Sequence, residues 1–100
     1  MSYERRLYHR VPVRLDVLWE GTAVSDFAEV SNISLGGCYV KTAAMARPGE
    51  EVTLEALLPR GRNIRLTGEV MHRQWPVGFG IRFTGLGSDE DYGELLSLIS

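Results

Sequence analysis

The sequence predicts an all-β fold with one C-terminal helix, and two observations support this. Short runs of alternating apolar and polar residues recur up to about residue 85, separated by turns rich in glycine and proline. Such alternation is typical of strands with one face in the core and one in solvent. After residue 88 the apolar residues change to the spacing of a helix. Several short strands joined by such turns indicate an antiparallel sandwich or a small barrel.

Six strands are predicted. The first covers residues 13–20, where odd positions are apolar and even positions are mostly polar, and it ends at Gly21. The others cover residues 27–31, 38–41, 52–58, 64–70 and 77–83. Closure into a barrel would remove the exposed edges that short strands otherwise present.

The tail predicts an amphipathic helix over residues 88–99. Ser88 is placed to cap its N-terminus, and the three acidic residues that follow lie where the helix dipole is positive. Its apolar stripe consists of Tyr92, Leu95, Leu96 and Ile99. Gly93 weakens the helix, so we expect packing against the barrel.

The chain of 100 residues predicts a single domain, with a flexible segment over residues 1–11, a barrel over 12–85 and the helix over 88–99. The net charge is −2. Cations are nevertheless dense near the N-terminus, at Arg5, Arg6, Arg10 and Arg14. A locally positive segment on a mildly acidic protein fits a compact anionic ligand better than a long polyanion.

Several functional classes are not supported. Cys38 is the single cysteine, so no intramolecular disulfide forms, and its strand position predicts a buried inert thiol. His9 and His72 lack metal-ligand spacing, and no nucleophile–base pair is evident, so we expect no metal, no cofactor and no catalysis. The sequence has no apolar run of membrane-spanning length and no signal peptide, so a cytoplasmic protein without membrane insertion is expected.

The first candidate motif is Arg5-Arg6-x-x-x-Arg10, ahead of the first strand. Three clustered guanidinium groups repel one another and are stabilised by an anion between them. Guanidinium pairs bidentately with phosphate oxygens and with the O6/N7 edge of guanine, so a guanine nucleotide offers both partners. Taken alone, the segment is more often a solvated basic tail.

The second candidate motif is Asn32-Ile33-Ser34-Leu35-Gly36-Gly37, between two strands. Asn and Ser bond to nearby backbone or to a base edge, and glycine allows close approach of a ligand. Ile33 and Leu35 would anchor the segment to the core. Taken alone, it is more often simply a well-formed turn.

Trp75 lies in the stretch His72-Arg73-Gln74-Trp75-Pro76, which is interpreted as a hairpin loop. An indole beside a purine site would stack on the base. A side chain that covers the end of the barrel is an equally good interpretation.

Together the two motifs resemble the signatures of the PilZ domain family, Arg-x-x-x-Arg and Asp/Asn-x-Ser-x-x-Gly. Here they are Arg6 to Arg10 and Asn32 to Gly37, and Gly68-Glu69-Val70 followed by residues 78–83 is similar to the strand pair that ends such barrels. The resemblance implies a six-stranded antiparallel PilZ-type β-barrel with a C-terminal helix. It also implies a bacterial second-messenger receptor for cyclic di-GMP.

The resemblance assigns roles to individual residues. Arg6 and Arg10 would grip phosphate and guanine edges, and the second wall would consist of Asn32, Ser34, Gly36 and Gly37. The extra Arg5 is associated in the family with binding of an intercalated ligand dimer. Ligand binding would order the N-terminal segment and relay the signal to an unidentified effector protein.

Two alternatives stay open. One is an interaction adaptor of the same fold that does not bind the nucleotide. The other is a small barrel that binds single-stranded nucleic acid through aromatic stacking and basic grooves. The net charge of −2 argues against a nucleic-acid polymer as partner.

Overall fold

The computed structural model describes residues 10–44, 46–58, 62–74 and 77–99. Within these ranges six antiparallel strands close into a barrel with the order β1-β2-β3-β6-β5-β4, and one helix follows. The elements are β1 (Val11–Glu20), β2 (Ser25–Ile33), β3 (Gly37–Lys41), β4 (Glu51–Leu57), β5 (Asn63–Gln74), β6 (Gly78–Leu86) and α1 (Asp89–Ile99). The predicted six-stranded barrel with a C-terminal helix is confirmed.

The core fills the inside of the barrel. Alternate residues of every strand point inward, as Val17 and Trp19 do on β1, and both are fully buried. The rings of Trp19 and Phe79 meet edge to face with their centroids 5.2 Å apart. Ile33 is buried and Leu35 packs against the core, so the predicted anchoring of the β2–β3 segment is confirmed.

The prediction for Cys38 is also confirmed. Its side chain is fully buried at the start of β3. Burial raises the pKa of the Cys38 thiol to about 12, against an opposing effect from the charge of Arg10. The thiolate that nucleophilic chemistry requires is therefore not formed near neutral pH.

Two predictions for the β5–β6 hairpin were wrong. β5 continues to Gln74, so His72 lies on a strand rather than in a loop. The register shifts between Val70 and His72, which interrupts the alternation that sequence inspection relies on. Val77, the predicted first residue of the sixth strand, precedes β6 and is 48% exposed, whereas Phe79 and Ile81 are buried.

Polar contacts fasten α1 to β5. The Ser88 hydroxyl accepts a hydrogen bond from the backbone N–H of Asp91 (3.1 Å), which confirms the predicted cap. The Asp91 carboxylate accepts a bond from the backbone N–H of Arg65 (3.3 Å). Arg62 forms ion pairs with Glu90, Asp91 and Glu94. Leu95 supplies the buried apolar contact of the helix.

No helix among the described residues is long and apolar enough to cross a bilayer.

Glu50 links the β1–β2 turn to the turn before β4, at the end of the barrel away from α1. Its carboxylate accepts hydrogen bonds from the backbone N–H of Arg47 (3.0 Å) and from the N–H (2.7 Å) and hydroxyl (3.0 Å) of Thr22. These hydrogen bonds hold the pKa of Glu50 below its ordinary value, and the bond from Arg47 has the largest effect.

Replacement of Glu50 by Gln should lower the free energy of unfolding by about 1 kcal/mol at neutral pH, because charge-assisted hydrogen bonds are weakened. A lowered pKa in the folded state gives stability that is present above the unfolded pKa, about 4.3, and lost as the pH falls through the folded value. Urea unfolding from pH 7 to pH 2.5 should show the two proteins converging in acid. Glu51→Gln, at an exposed position, is the control, and an equal loss there would contradict the assignment.

Candidate ligand-binding face

A single row of residues crosses five strands on the outside of the barrel. Pro12 of β1 lies opposite Asn32 of β2, which lies opposite Tyr39 of β3. Tyr39 in turn lies opposite Gly80 of β6, and Gly80 opposite His72 of β5. With neighbouring strands about 4.8 Å apart, the row spans roughly 20 Å. The term "ligand face" is used for this row together with Arg10 and the β2–β3 turn.

Arg10 connects the two candidate motifs. It stands directly before β1, is exposed, and donates a hydrogen bond from Nη1 to Oδ1 of Asn32 (2.7 Å). The pairing of Pro12 with Asn32 brings the start of β1 beside the end of β2 and so makes this contact possible. A guanidinium group has five N–H donors, so Arg10 retains donors for an anion.

Ser34 builds the turn beside Arg10. Its side chain is buried, and its hydroxyl accepts hydrogen bonds from the backbone N–H groups of Gly36 (3.1 Å) and Gly37 (3.2 Å). The Ser34 N–H donates to the Gly37 carbonyl (2.8 Å). In this structure the Ser34 hydroxyl therefore fixes the shape of the turn.

Gly37 is required by the close approach of β3 and β6. A Cβ atom at this position would collide with the backbone carbonyl oxygen of Ile81. The adjacent Gly36 accepts a hydrogen bond at its carbonyl from the N–H of Phe83 (2.9 Å), which holds the turn against β6. Gly37 thus allows the close approach of the two strands, and the backbone of Gly36 fixes the turn beside β6.

Gly80 lets two rings meet above bare backbone. The rings of Tyr39 and His72 lie on either side of it, with centroids 6.1 Å apart and planes inclined by 38°. A Cβ atom on Gly80 would lie 2.7 Å from Cε1 of His72. The absence of a side chain at Gly80 therefore leaves room for the His72 ring to lie over the backbone beside Tyr39.

An open cleft of about 190 Å³ adjoins these rings. It is lined by Arg10, Gly36, Met71, His72, Gly80, Ile81 and Arg82. Arg82 forms an ion pair with Glu69, its cross-strand neighbour. Pockets for drug-sized ligands measure about 300–1,000 Å³, so the cleft has room for one part of such a ligand, with the rest lying on the open face.

The structure brings some predicted residues together. Arg10, Asn32, Ser34, Gly36 and Gly37 lie at one end of the ligand face. Arg5, Arg6 and Trp75 lie outside the described residues. Within the described ranges no group of three His, Cys, Asp or Glu side chains could hold a metal ion.

Sequence reasoning missed four residues of the ligand face and two of the adjoining cleft: Pro12, Tyr39, His72 and Gly80, and Met71 and Arg82. His72 was considered only as a metal ligand and was placed in a loop. The spacing Gly78-Phe79-Gly80 was the available signal, because glycines at outward positions of a strand leave the surface bare for a ligand.

A comparison with protein-family models gives a match described as PilZ domain over residues 4–100. The chain belongs to the PilZ domain family. PilZ is a cyclic di-GMP-binding domain family, and its members are generally non-catalytic binding domains. A comparison with curated proteins gave no match.

Two solved structures share the fold of this PilZ domain. The inhibitor of motility MotI/DgrA of Bacillus subtilis superposes with a TM-score of 0.76 at 22% identity, covering 90% of this chain and 47% of that one. The chain thus spans about half the length of MotI/DgrA. The PilZ domain of CeSA from a cellulose-synthesizing bacterium superposes with a TM-score of 0.70 at 18% identity, covering 91% and 94%. At these identities the likeness shows the fold alone.

Gly37→Ala should lower the free energy of unfolding by about 1–3 kcal/mol, because the new methyl group forces β3 away from β6. Gly85→Ala is the matched control, since nothing lies within 4 Å of a Cβ atom there. Thermal unfolding followed by circular dichroism should separate the two variants by several degrees. Equal melting temperatures would contradict the close approach at Gly37.

Proposed function

We propose that this PilZ domain is a non-catalytic receptor for cyclic di-GMP that binds the nucleotide on the ligand face. The observation that carries the proposal is the hydrogen bond from Arg10 to Asn32, which joins the two family signatures beside an open cleft. Guanidinium recognises both phosphate oxygens and the O6/N7 edge of guanine, and cyclic di-GMP offers both groups.

The aromatic surface that Tyr39 and His72 form together suits the nucleotide base. A purine has a flat π face, and base stacking on aromatic side chains contributes about 1–3 kcal/mol per base. Tyr39 lies on the strand next to that of Asn32, and His72 lines the cleft together with Arg10 and Arg82. Cationic groups beside a stacking surface are the combination that a phosphorylated purine requires.

The segment before Arg10 completes the proposed site. Arg6 would share the phosphate and guanine edges with Arg10, and Arg5 would hold a second, intercalated nucleotide. Trp75 would stack on a base or cover the end of the barrel. Binding would bring the repelling guanidinium groups around one anion, order the segment against the ligand face and present a new surface to an effector protein.

An adaptor that binds a protein without the nucleotide is the second candidate. One observation favours it: MotI/DgrA, whose name describes an inhibitor of motility, shares the fold. Either function would place the protein in the cytoplasm, with a protein partner still to be identified.

Calorimetric titration with cyclic di-GMP tests the receptor proposal. Arg10→Ala should weaken binding by about 10- to 100-fold, since a charge-assisted hydrogen bond contributes about 1.5–3 kcal/mol. Arg14→Ala removes an equal charge from an exposed side chain paired with Glu29, and should bind like the wild type. Absence of binding heat from the wild type at tens of micromolar protein would overturn the receptor in favour of the adaptor.

The stoichiometry of the same titration tests the role of Arg5. The wild type should bind two nucleotides per chain and Arg5→Ala one, because the intercalated dimer loses a cation that holds its second member. A wild-type ratio of one would contradict the dimer while leaving the receptor in place.

A further inference from the structure

The outer surface of β2, β1 and β4 differs in character from the ligand face. Its central row consists of Phe27, Leu18 and Glu55, one from each strand and opposite one another. Three further acids, Asp16, Glu20 and Glu29, occupy the outward positions on either side of Leu18 and Phe27. These six residues are called the acidic face.

Phe27 is the unusual member of the acidic face. Its side chain is 70% exposed, whereas the other exposed large apolar residues of the described chain reach at most 48%. Leu18 lies half-buried beside it, and Leu57, opposite Asp16, is 39% exposed. Single exposed apolar residues are common on proteins, but an exposed aromatic ring beside an apolar cross-strand neighbour forms a small apolar patch that a partner can cover.

The closed barrel restricts how a partner can bind here. β1 is paired on one side with β2 and on the other with β4, so neither edge can accept an added strand. A partner must therefore contact the outward side chains. An exposed phenylalanine is then the natural anchor, because aromatic rings supply much of the binding energy in such contacts.

The charges of the acidic face specify the partner. Arg14 pairs with Glu29 (Nε to Oε2, 3.0 Å), Lys41 also lies opposite Glu29, and Arg65 lies opposite Glu55. Asp16 and Glu20 make no ion pair among the described residues, so their charges are available to a partner. We propose that the acidic face docks a protein partner whose Lys and Arg side chains surround an apolar pocket for Phe27.

The acidic face is also separate from the ligand face along β1. Their nearest members on this strand, Pro12 and Asp16, are four residues apart, roughly 13 Å, and Leu18 is roughly 25 Å from Arg10 along an extended strand. Transmission of a cyclic di-GMP signal through a partner bound at the acidic face rests on the proposed function, but docking itself does not require the nucleotide.

The test is an NMR titration of the ¹⁵N-labelled chain with a synthetic amphipathic peptide that carries Lys on one helical face and Leu on the other. Amide shifts should concentrate on β1, β2 and β4. Phe27→Ser should weaken binding about tenfold or more, and the double variant Asp16→Asn/Glu20→Gln should reduce both affinity and its salt dependence.

Three controls match these variants. Val77→Ser makes the same type of change at a side chain that is 48% exposed on the β5–β6 hairpin, and should leave affinity unchanged. Asp89→Asn/Glu90→Gln removes two charges from exposed positions of α1, and should have little effect. A peptide with Glu in place of Lys should not bind.

Four results would overturn the proposal, and a fifth would bear on the proposed function alone. Shifts elsewhere on the barrel, no shifts at all, or equal binding by Phe27→Ser would show that the face is not a docking site for basic partners. Shifts at Phe27 that grow with protein concentration without peptide would assign the face to a second copy of the chain. Peptide binding without any cyclic di-GMP binding would refute the proposed function and leave the docking surface standing.

Discussion

Pairing of β1 with both β2 and β4 is the constraint on which the rest of the structure depends, because it closes the barrel. In a closed sheet every side chain points either into the core or out to solvent. The inward set, including Trp19 and Phe79, fills the interior. The outward set is then free to differ from one side of the barrel to the other.

Two glycines shape the side of the barrel that carries the ligand face. Gly37 allows β3 to approach β6, and Gly80 leaves a gap over which Tyr39 and His72 meet. The same register that places Cys38 in the core places Asn32 and Tyr39 on the surface, next to Arg10. Packing and site geometry are thus consequences of one strand alignment.

The contacts that fasten the periphery are polar. Glu50 joins two turns at one end, and Asp91 with Arg62 holds α1 against β5. Because surface hydrogen bonds and ion pairs are individually weak, these contacts can be rearranged at small cost in free energy.

The sequence by itself determined the six strands, the helix with its Ser88 cap, the burial of Cys38 and the likeness to PilZ domains, because alternation and capping are local patterns. Only the tertiary structure decided which outward residues become neighbours. His72 joined the ligand face through a register shift that local alternation does not encode. Phe27 acquired Leu18 as its cross-strand neighbour through the register of the β1–β2 hairpin, and Glu55 joined that row only because β1 also pairs with β4, since cross-strand contacts depend on register rather than on sequence separation.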